Sequence, residues 1–189
     1  MQSQPLGGGF ADHPTASAKA FRAILDVLAR PGKIAEISGA TPPAPMSVAA
    51  GSLLLTLCDP ETPVWISRSL QNDAVIGWLQ FHTGAPVVTD RAKAMFAIGD
   101  WQELAPITDF AIGTAEYPDR SATLIVEMSK LVSQGAKLRG PGIQDVASLN
   151  LPENKAFADN ASLFPLGLDF FFTANSSIAA LPRSTKLGE

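Results

Sequence analysis

The stretch "LDFFFT", residues 168–173, decides the fold class that this chain is expected to adopt. Successive side chains of a β-strand point to opposite faces, so three consecutive phenylalanines place apolar rings on both faces of one strand. A strand that is buried on both faces lies within a sheet that has helices on each side. A short polar turn then leads into "SIAALP", residues 177–182, which predicts a hairpin of two paired strands.

Helical and strand patterns alternate through the rest of the sequence. Apolar residues recur at i, i+3, i+4 and i+7 near the N-terminus, which predicts a helix with one apolar face. The residues of this face are Phe21, Ile24, Leu25 and Leu28. Further helices are predicted over residues 46–59, 72–84 and 153–164, and further strands over residues 33–37, 63–67, 85–88, 94–98, 122–128 and 136–140. In the helix over 72–84, Asn72 or Asp73 is the predicted cap and Gly84 the predicted stop.

These patterns predict an α/β fold with a mixed central sheet flanked by helices. No internal repeat or long linker divides the chain, so we expect a single α/β domain over residues 13–189. Residues 1–12 are expected to form a flexible N-terminal arm. They have neither the basic start nor the apolar run of a secretory signal.

Composition narrows the classes of function. Only 17% of the residues are charged, which indicates either a surface that faces another protein or a polar uncharged surface. The net charge is −4 and the cations are scattered, so we expect no nucleic-acid partner. No apolar run reaches the ~20 residues that a membrane span needs. Cys58 is the only cysteine, which excludes an internal disulfide and fits a reducing cytoplasm.

The stretch "LRGPGI", residues 138–143, has two possible interpretations. A phosphate-binding P-loop needs a lysine and a hydroxyl after its glycines, and a dinucleotide-binding loop needs a third glycine where Asp145 stands. Pro141 also removes one of the N–H groups that could hold an anion. A turn at the end of a strand is therefore the favoured interpretation. Anion binding remains the alternative, because the guanidinium of Arg139 adjoins flexible backbone.

The other polar candidates each have a structural and a functional interpretation. His82 stands at a helix end, where it could cap free carbonyls or act as a base. Arg183 lies in "LPRST", residues 181–185, which could be an anion clamp or a solvated strand end. Cys58 is interpreted as a buried inert thiol, since no lysine or arginine lies nearby in sequence to lower its pKa.

Carboxylates and histidines give no catalytic or metal-binding signature. Glu127 and Asp169 lie inside apolar strand patterns, and one of them is predicted to be buried and paired. Neither His13 nor His82 has a second ligand at i+3 or i+4, so no metal site is predicted. The prediction is therefore no catalytic residue, no cofactor and no metal. The candidates for ligand binding are Arg139, Arg183 and His82.

The order of seven segments resembles one family, the H subunits of the bacterial carbon–phosphorus lyase system (PhnH). The segments are "FRAILDVLARPG" (21–32), "LLLTLCDPETPVWIS" (53–67), "LQFHTGAPVV" (79–88), "GTAEYPDRSATLIV" (113–126), "LRGPGI" (138–143), "FPLGLDFFFT" (164–173) and "LPRST" (181–185). They span nearly the whole chain. No single segment is diagnostic, so the resemblance rests on all of them together.

The resemblance implies properties that the residues alone do not. The family's fold looks like that of pyridoxal-phosphate-dependent transferases without the cofactor site. Its members form homodimers and join the G, I and J subunits in a core complex for organic phosphonate catabolism. An early step of that complex replaces the adenine of ATP by a phosphonate, giving a ribose 1-phosphonate 5-triphosphate. The later radical step belongs to the iron–sulfur J subunit, and one cysteine here cannot hold such a cluster.

The resemblance carries over no functional residue, so two hypotheses remain open. The first is a non-catalytic assembly subunit. The second is a small enzyme or ligand-binding domain that acts on a phosphorylated or phosphonate compound through Arg139, Arg183 and His82.

Overall fold

A seven-stranded sheet divides the described part of the chain, residues 7–188 of the computed structural model, into two apolar cores. The helices are α1 (His13–Ala29), α2 (Val48–Leu57), α3 (Asp73–Thr83), α4 (Trp101–Leu104) and α5 (Lys155–Ser162). The strands are β1 (Ala35–Glu36), β2 (Val64–Ile66), β3 (Val87–Val88), β4 (Phe96–Gly99), β5 (Thr123–Glu127), β6 (Ala136–Arg139), β7 (Ala147–Leu149), β8 (Asp169–Ala174), β9 (Ser177–Leu181) and β10 (Lys186–Gly188).

The large sheet has the order β1-β9-β8-β5-β4-β2-β3. Strands β3, β2, β4, β5 and β8 run parallel to one another, whereas β9 is antiparallel to both of its neighbours. The remaining strands form a separate antiparallel sheet with the order β10-β6-β7. The predicted α/β fold with a mixed central sheet flanked by helices is confirmed.

Strand β8 carries the phenylalanines that predicted this arrangement. Phe171 packs into the core that contains residues of α1, α2 and α3. Phe170 and Phe172 lie in the other core, where their ring centroids are 4.8 and 5.7 Å from that of Phe157 in α5. All three phenylalanines are at most 2% exposed. The prediction of a central strand buried on both faces is confirmed, as is its hairpin with β9.

Side chains at the helix ends also behave as the sequence predicts. The side chain of Asn72 accepts a hydrogen bond from the Val75 N–H at 2.9 Å and caps α3. Gly84 ends this helix with a φ of 72°, a left-handed conformation that favours glycine. Ser47 caps α2 in the same way, with its hydroxyl accepting from the Ala50 N–H at 3.1 Å.

The apolar face of α1 is rotated from the predicted one. Ala20, Ile24 and Val27 are at most 3% exposed, whereas Phe21 and Leu25 are 44% and 47% exposed. The prediction that Phe21 and Leu25 belong to the buried face is therefore wrong. Both stripes have helical spacing, and the small side chain of Ala20 allows the closer approach to the neighbouring elements.

The described part of the predicted arm, residues 7–12, lies against the domain, whereas residues 1–6 fall outside the described residues. The Thr41 N–H donates to the Gly8 carbonyl at 2.8 Å. Phe10 is 9% exposed and belongs to the core beside α1. These contacts anchor the start of the described chain to the domain.

Phe172→Ala should lower the free energy of unfolding by about 3–5 kcal/mol, since it leaves a cavity among closely packed rings. Phe164→Ala is the matched control, because Phe164 is 60% exposed and should change stability by only about 0.5 kcal/mol. Urea unfolding followed by circular dichroism measures both changes. Equal effects of the two substitutions would contradict the central position of β8.

Candidate functional site

Arg183 is bound by partners within the chain. Its Nη2 lies 2.5 Å from Oδ2 of Asp169, and its main-chain N–H donates to Oδ1 of the same carboxylate at 2.8 Å. Nη1 donates to the Pro118 carbonyl at 2.7 Å, and Nη2 also donates to the hydroxyl of Ser121. The Arg183 side chain is only 13% exposed. This guanidinium therefore connects the start of β8 to the segment before β5.

Asp169 is thus paired, as the sequence predicted for one of two carboxylates, but it is only partly buried, with 28% of its side chain exposed. A carboxylate that receives several charge-assisted hydrogen bonds from one arginine is held in a fixed geometry. The partners of Arg183 at Pro118 and Ser121 are 65 and 62 residues away in sequence. Local spacing therefore could not predict this network.

His82 lies in the last turn of α3, away from the Arg183 network. Its Nε2 is 3.2 Å from the Gly7 carbonyl, and its ring makes edge contacts with Trp78 and Phe81. A Cβ added to Gly9 would lie 2.6 Å from its Cε1. The N-terminal segment thus packs closely on the imidazole. The structure does not bring His82 together with the two candidate arginines.

The stretch 138–143 forms a turn at the end of β6, as the favoured interpretation predicted. The Ile143 N–H donates to the Gly140 carbonyl at 3.1 Å. Gly142 has a φ of 80°, and a Cβ there would lie 1.8 Å from the Ala29 carbonyl at the end of α1. Glycine is therefore required by close packing at this position. Arg139 is exposed and donates to the Asp145 carbonyl at 3.3 Å.

Cys58 is buried after the end of α2, as the sequence predicted. Loss of hydration on burial raises the pKa of its thiol to about 12. Asp59 adds a smaller unfavourable interaction with the thiolate. A thiol in this environment is unreactive at neutral pH.

A crevice of about 610 Å³ opens at the carboxyl ends of β5 and β8, and Glu127 is its most deeply placed ionisable group. Oε1 of Glu127 accepts from the Ser47 N–H at 2.8 Å, and Oε2 accepts from the Thr173 hydroxyl at 2.9 Å. The lining also includes Pro45, Met46, Val48, Met128, Ser129, Asn175 and Ser176. In α/β sheets, ligands bind outside the carboxyl ends of the strands.

Burial dominates the electrostatics of Glu127. Loss of hydration raises the pKa of this carboxyl, and the hydrogen bonds from Ser47 and Thr173 only partly oppose the shift. No lysine or arginine within residues 7–188 forms an ion pair with it. Such a group can accept or donate a proton or bind a hydroxyl or amine.

A second polar cluster lies at the same end of the sheet, beyond β2 and β4. The Ser69 N–H and hydroxyl both donate to Oε2 of Glu103, at 3.0 and 2.5 Å. These bonds lower the pKa of the Glu103 carboxyl. They tie the loop after β2 to α4 and leave the carboxylate exposed. The sequence analysis missed this cluster because the two residues are 34 positions apart.

Residues 7–188 contain neither a group of metal-ligating side chains nor a membrane-spanning helix. Within this range, no three histidine, cysteine, aspartate or glutamate side chains are grouped so that they could hold a metal ion. Among the described helices, none has the length and apolar character that a membrane crossing requires.

The fold and the crevice define an α/β domain with helices on both faces of a mostly parallel sheet and a polar cavity at its carboxyl edge. Residues 8–188 match the family model described as bacterial phosphonate metabolism protein (PhnH), so the chain belongs to this family. It is 42% identical over 194 residues to the alpha-D-ribose 1-methylphosphonate 5-triphosphate synthase subunit PhnH of Rhizobium meliloti (strain 1021). The match covers 98% of this chain and 97% of that relative. The family resemblance inferred from the sequence is confirmed.

Arg183→Ala should lower the free energy of unfolding by about 2–3 kcal/mol, because it leaves Asp169 partly buried without its cation and removes the hydrogen bonds to Pro118 and Ser121. Arg139→Ala is the matched control, since Arg139 is exposed and its loss should change the stability by only about 0.5 kcal/mol in either direction. Chemical unfolding at neutral pH compares them. Similar stabilities of the two variants would contradict the structural role of Arg183.

The stability of the protein should depend on the protonation of Glu127. Because its pKa is raised in the fold, the folded state binds more protons than the unfolded state above about pH 4.3, up to the raised value. The contribution of Glu127 to the free energy of unfolding therefore falls as pH rises through this window. Glu127→Gln should remove that fall, whereas Glu116→Gln, at an exposed position, should retain it. Urea unfolding at a series of pH values tests this, and the same profile in both variants would contradict it.

Proposed function

We propose that this chain is a subunit of a synthase that makes ribose 1-phosphonate 5-triphosphate during organic phosphonate catabolism. Membership of the PhnH family and the printed name of the Rhizobium meliloti relative support this. In the same proposal the chain forms a homodimer in the cytoplasm and assembles with the G, I and J subunits of the carbon–phosphorus lyase system. It supports the replacement of adenine in ATP by a phosphonate and supplies none of the reacting groups.

The proposed non-catalytic role is supported by the environments of two candidate reactive groups, Arg183 and Cys58. The Arg183 guanidinium is occupied by Asp169, Pro118 and Ser121. The thiol of Cys58 is held protonated by burial. Groups in these positions stabilise the fold and are not free to act on a substrate.

The proposal also includes a fold like that of pyridoxal-phosphate-dependent transferases, without the cofactor site. It is supported by the mixed seven-stranded sheet and by the positions of the lysines. All seven lysines are exposed, and none lines the crevice at the carboxyl ends of β5 and β8. A lysine in the cofactor site is what a pyridoxal phosphate enzyme needs for its Schiff base.

We place one contact with another subunit at an apolar groove between α4 and α5. The groove has a volume of about 740 Å³ and contains Trp101, Ile107 and Ile112. Leu163 lines the groove and is 44% exposed, and Phe164, the next residue in sequence, is 60% exposed. Of the two carboxylates in the lining, Asp159 is paired with Lys155, whereas Glu153 forms no ion pair within residues 7–188. A partner segment with apolar side chains and a flanking cation would fit.

A second candidate function is a small enzyme or ligand-binding domain. The isolated carboxyl of Glu127 in its crevice favours this alternative, since buried groups with a raised pKa are common in active sites. In this second candidate the functional residue is Glu127. The sequence analysis had instead proposed Arg139, Arg183 and His82 for ligand binding.

Turnover and pull-down of the other subunits, measured on the same variants, separate the two functions. Glu127→Gln should leave assembly complete and turnover within about tenfold, whereas loss of a true acid–base group costs about 10²–10⁴-fold. Phe164→Asp should lower assembly and turnover together. Phe81→Asp is its control, because Phe81 is 58% exposed on α3, which packs in the other core. Loss of turnover in Glu127→Gln with complete assembly would establish the second candidate instead.

A further inference from the structure

Three cations share the outward face of the small antiparallel sheet. Lys137 and Arg139 are two residues apart on β6, and Lys186 lies directly opposite Arg139 on β10. All three are exposed. Leu138 between the first two is fully buried, so the alternation of the strand directs the charged side chains to the opposite side. We call Lys137, Arg139 and Lys186 the basic face.

The positive charges of the basic face lie close together, which lowers the stability of the small sheet. Like charges directly opposite each other on neighbouring strands are destabilising. Within residues 7–188, none of the three cations lies within 4.0 Å of a carboxylate. Arg139 donates to the main-chain carbonyl of Asp145 and Lys137 to the hydroxyl of Ser148, both at 3.3 Å. A local arrangement that costs stability and has no carboxylate partner among residues 7–188 is typical of a binding site.

The position beside two of these cations on the same face is a glycine. Gly188 is directly opposite Lys137, and it has no side chain to fill the space above the backbone. A Cβ at Gly188 would lie 3.6 Å from Nε of Arg139 and 3.7 Å from Cβ of Lys137. Ser148 flanks Lys137 on its other side, on β7. The donors of Lys137, Arg139 and Ser148 therefore lie around a position that carries no side chain.

We propose that the basic face binds the polyphosphate chain of a small molecule. Side chains two residues apart on a strand are separated by about 6.7 Å. Directly opposite residues on paired strands are about 4.5–5.5 Å apart at their Cα atoms. Three cations match the several negative charges of linked phosphates better than the one or two charges of a single phosphate. Arginine and lysine both bind phosphate oxygens through charge-assisted hydrogen bonds.

The synthase function proposed above narrows the ligand from any polyphosphate to a triphosphate compound of that reaction. This narrowing is the only part of the inference that rests on the proposed function. Both ATP and a ribose 1-phosphonate 5-triphosphate carry three linked phosphates. The basic face would hold the triphosphate end of such a molecule and leave its sugar free for the other subunits. The chemistry on the sugar then needs no reacting group from this chain.

Isothermal titration of the full chain with inorganic tripolyphosphate tests the basic face directly. We expect one site per chain, affinity for orthophosphate at least about tenfold weaker, and weakening of tripolyphosphate binding by about tenfold in Arg139→Ala and in Lys186→Ala. Lys93→Ala is the control, because Lys93 is an exposed lysine outside the small sheet and should bind within about twofold of the native chain. Affinity should fall between about 0.05 and 0.3 M salt because exposed charges are screened.

Absence of tripolyphosphate binding, or equal weakening in Lys93→Ala, would overturn the proposal. Pull-down of the other synthase subunits with the same variants adds a second readout. If Arg139→Ala and Lys186→Ala reduce assembly while the native chain binds no tripolyphosphate, the basic face holds an acidic protein surface and the proposal fails. If tripolyphosphate binds as expected but the chain does not support the synthase, the polyphosphate site stands and the proposed function fails.

Discussion

The burial of β8 on both faces is the constraint on which the rest of the structure depends. Phe171 fills the core beside α1, α2 and α3, whereas Phe170 and Phe172 fill the core beside α5. The same strand begins at Asp169, which binds Arg183, and Thr173 near its other end binds Glu127. A shift of β8 by one residue would exchange its buried faces and separate both carboxylates from their partners.

Asp169 on β8 and Glu127 on β5 are carboxylates in different electrostatic environments. In the register of β5 and β8, Thr123 pairs with Asp169 and Glu127 pairs with Thr173, so the two carboxylates lie near opposite ends of the strand pair. Asp169 receives a guanidinium, which holds it in an ion pair of fixed geometry. Glu127 receives only neutral donors, and loss of hydration outweighs them, so its pKa is raised. The first group holds the fold together, and the second remains the group best placed for a ligand.

The sequence analysis predicted structural features that depend on neighbouring residues. It missed features that form between residues far apart in the chain. "LDFFFT", Asn72 and Gly84 each act through neighbours in sequence, and each prediction is confirmed. Strands β7 and β10 have only three residues each, too few for a recognisable alternation, so the small sheet and its basic face were not predicted. The crevice was missed because Ser47 and Glu127 are 80 residues apart.

The central proposal is that this chain contributes binding to the synthase and none of its chemistry. A subunit that only brings other subunits and a substrate together can be replaced by mass action, because higher concentrations restore the same encounters. The most direct measurement is the rate of ribose 1-phosphonate 5-triphosphate formation by the other subunits without this chain, as the concentrations of those subunits, of ATP and of the phosphonate are raised. The account predicts that the rate approaches that of the complete complex. A rate that stays at background at every concentration, and recovers only when this chain is added, would contradict it.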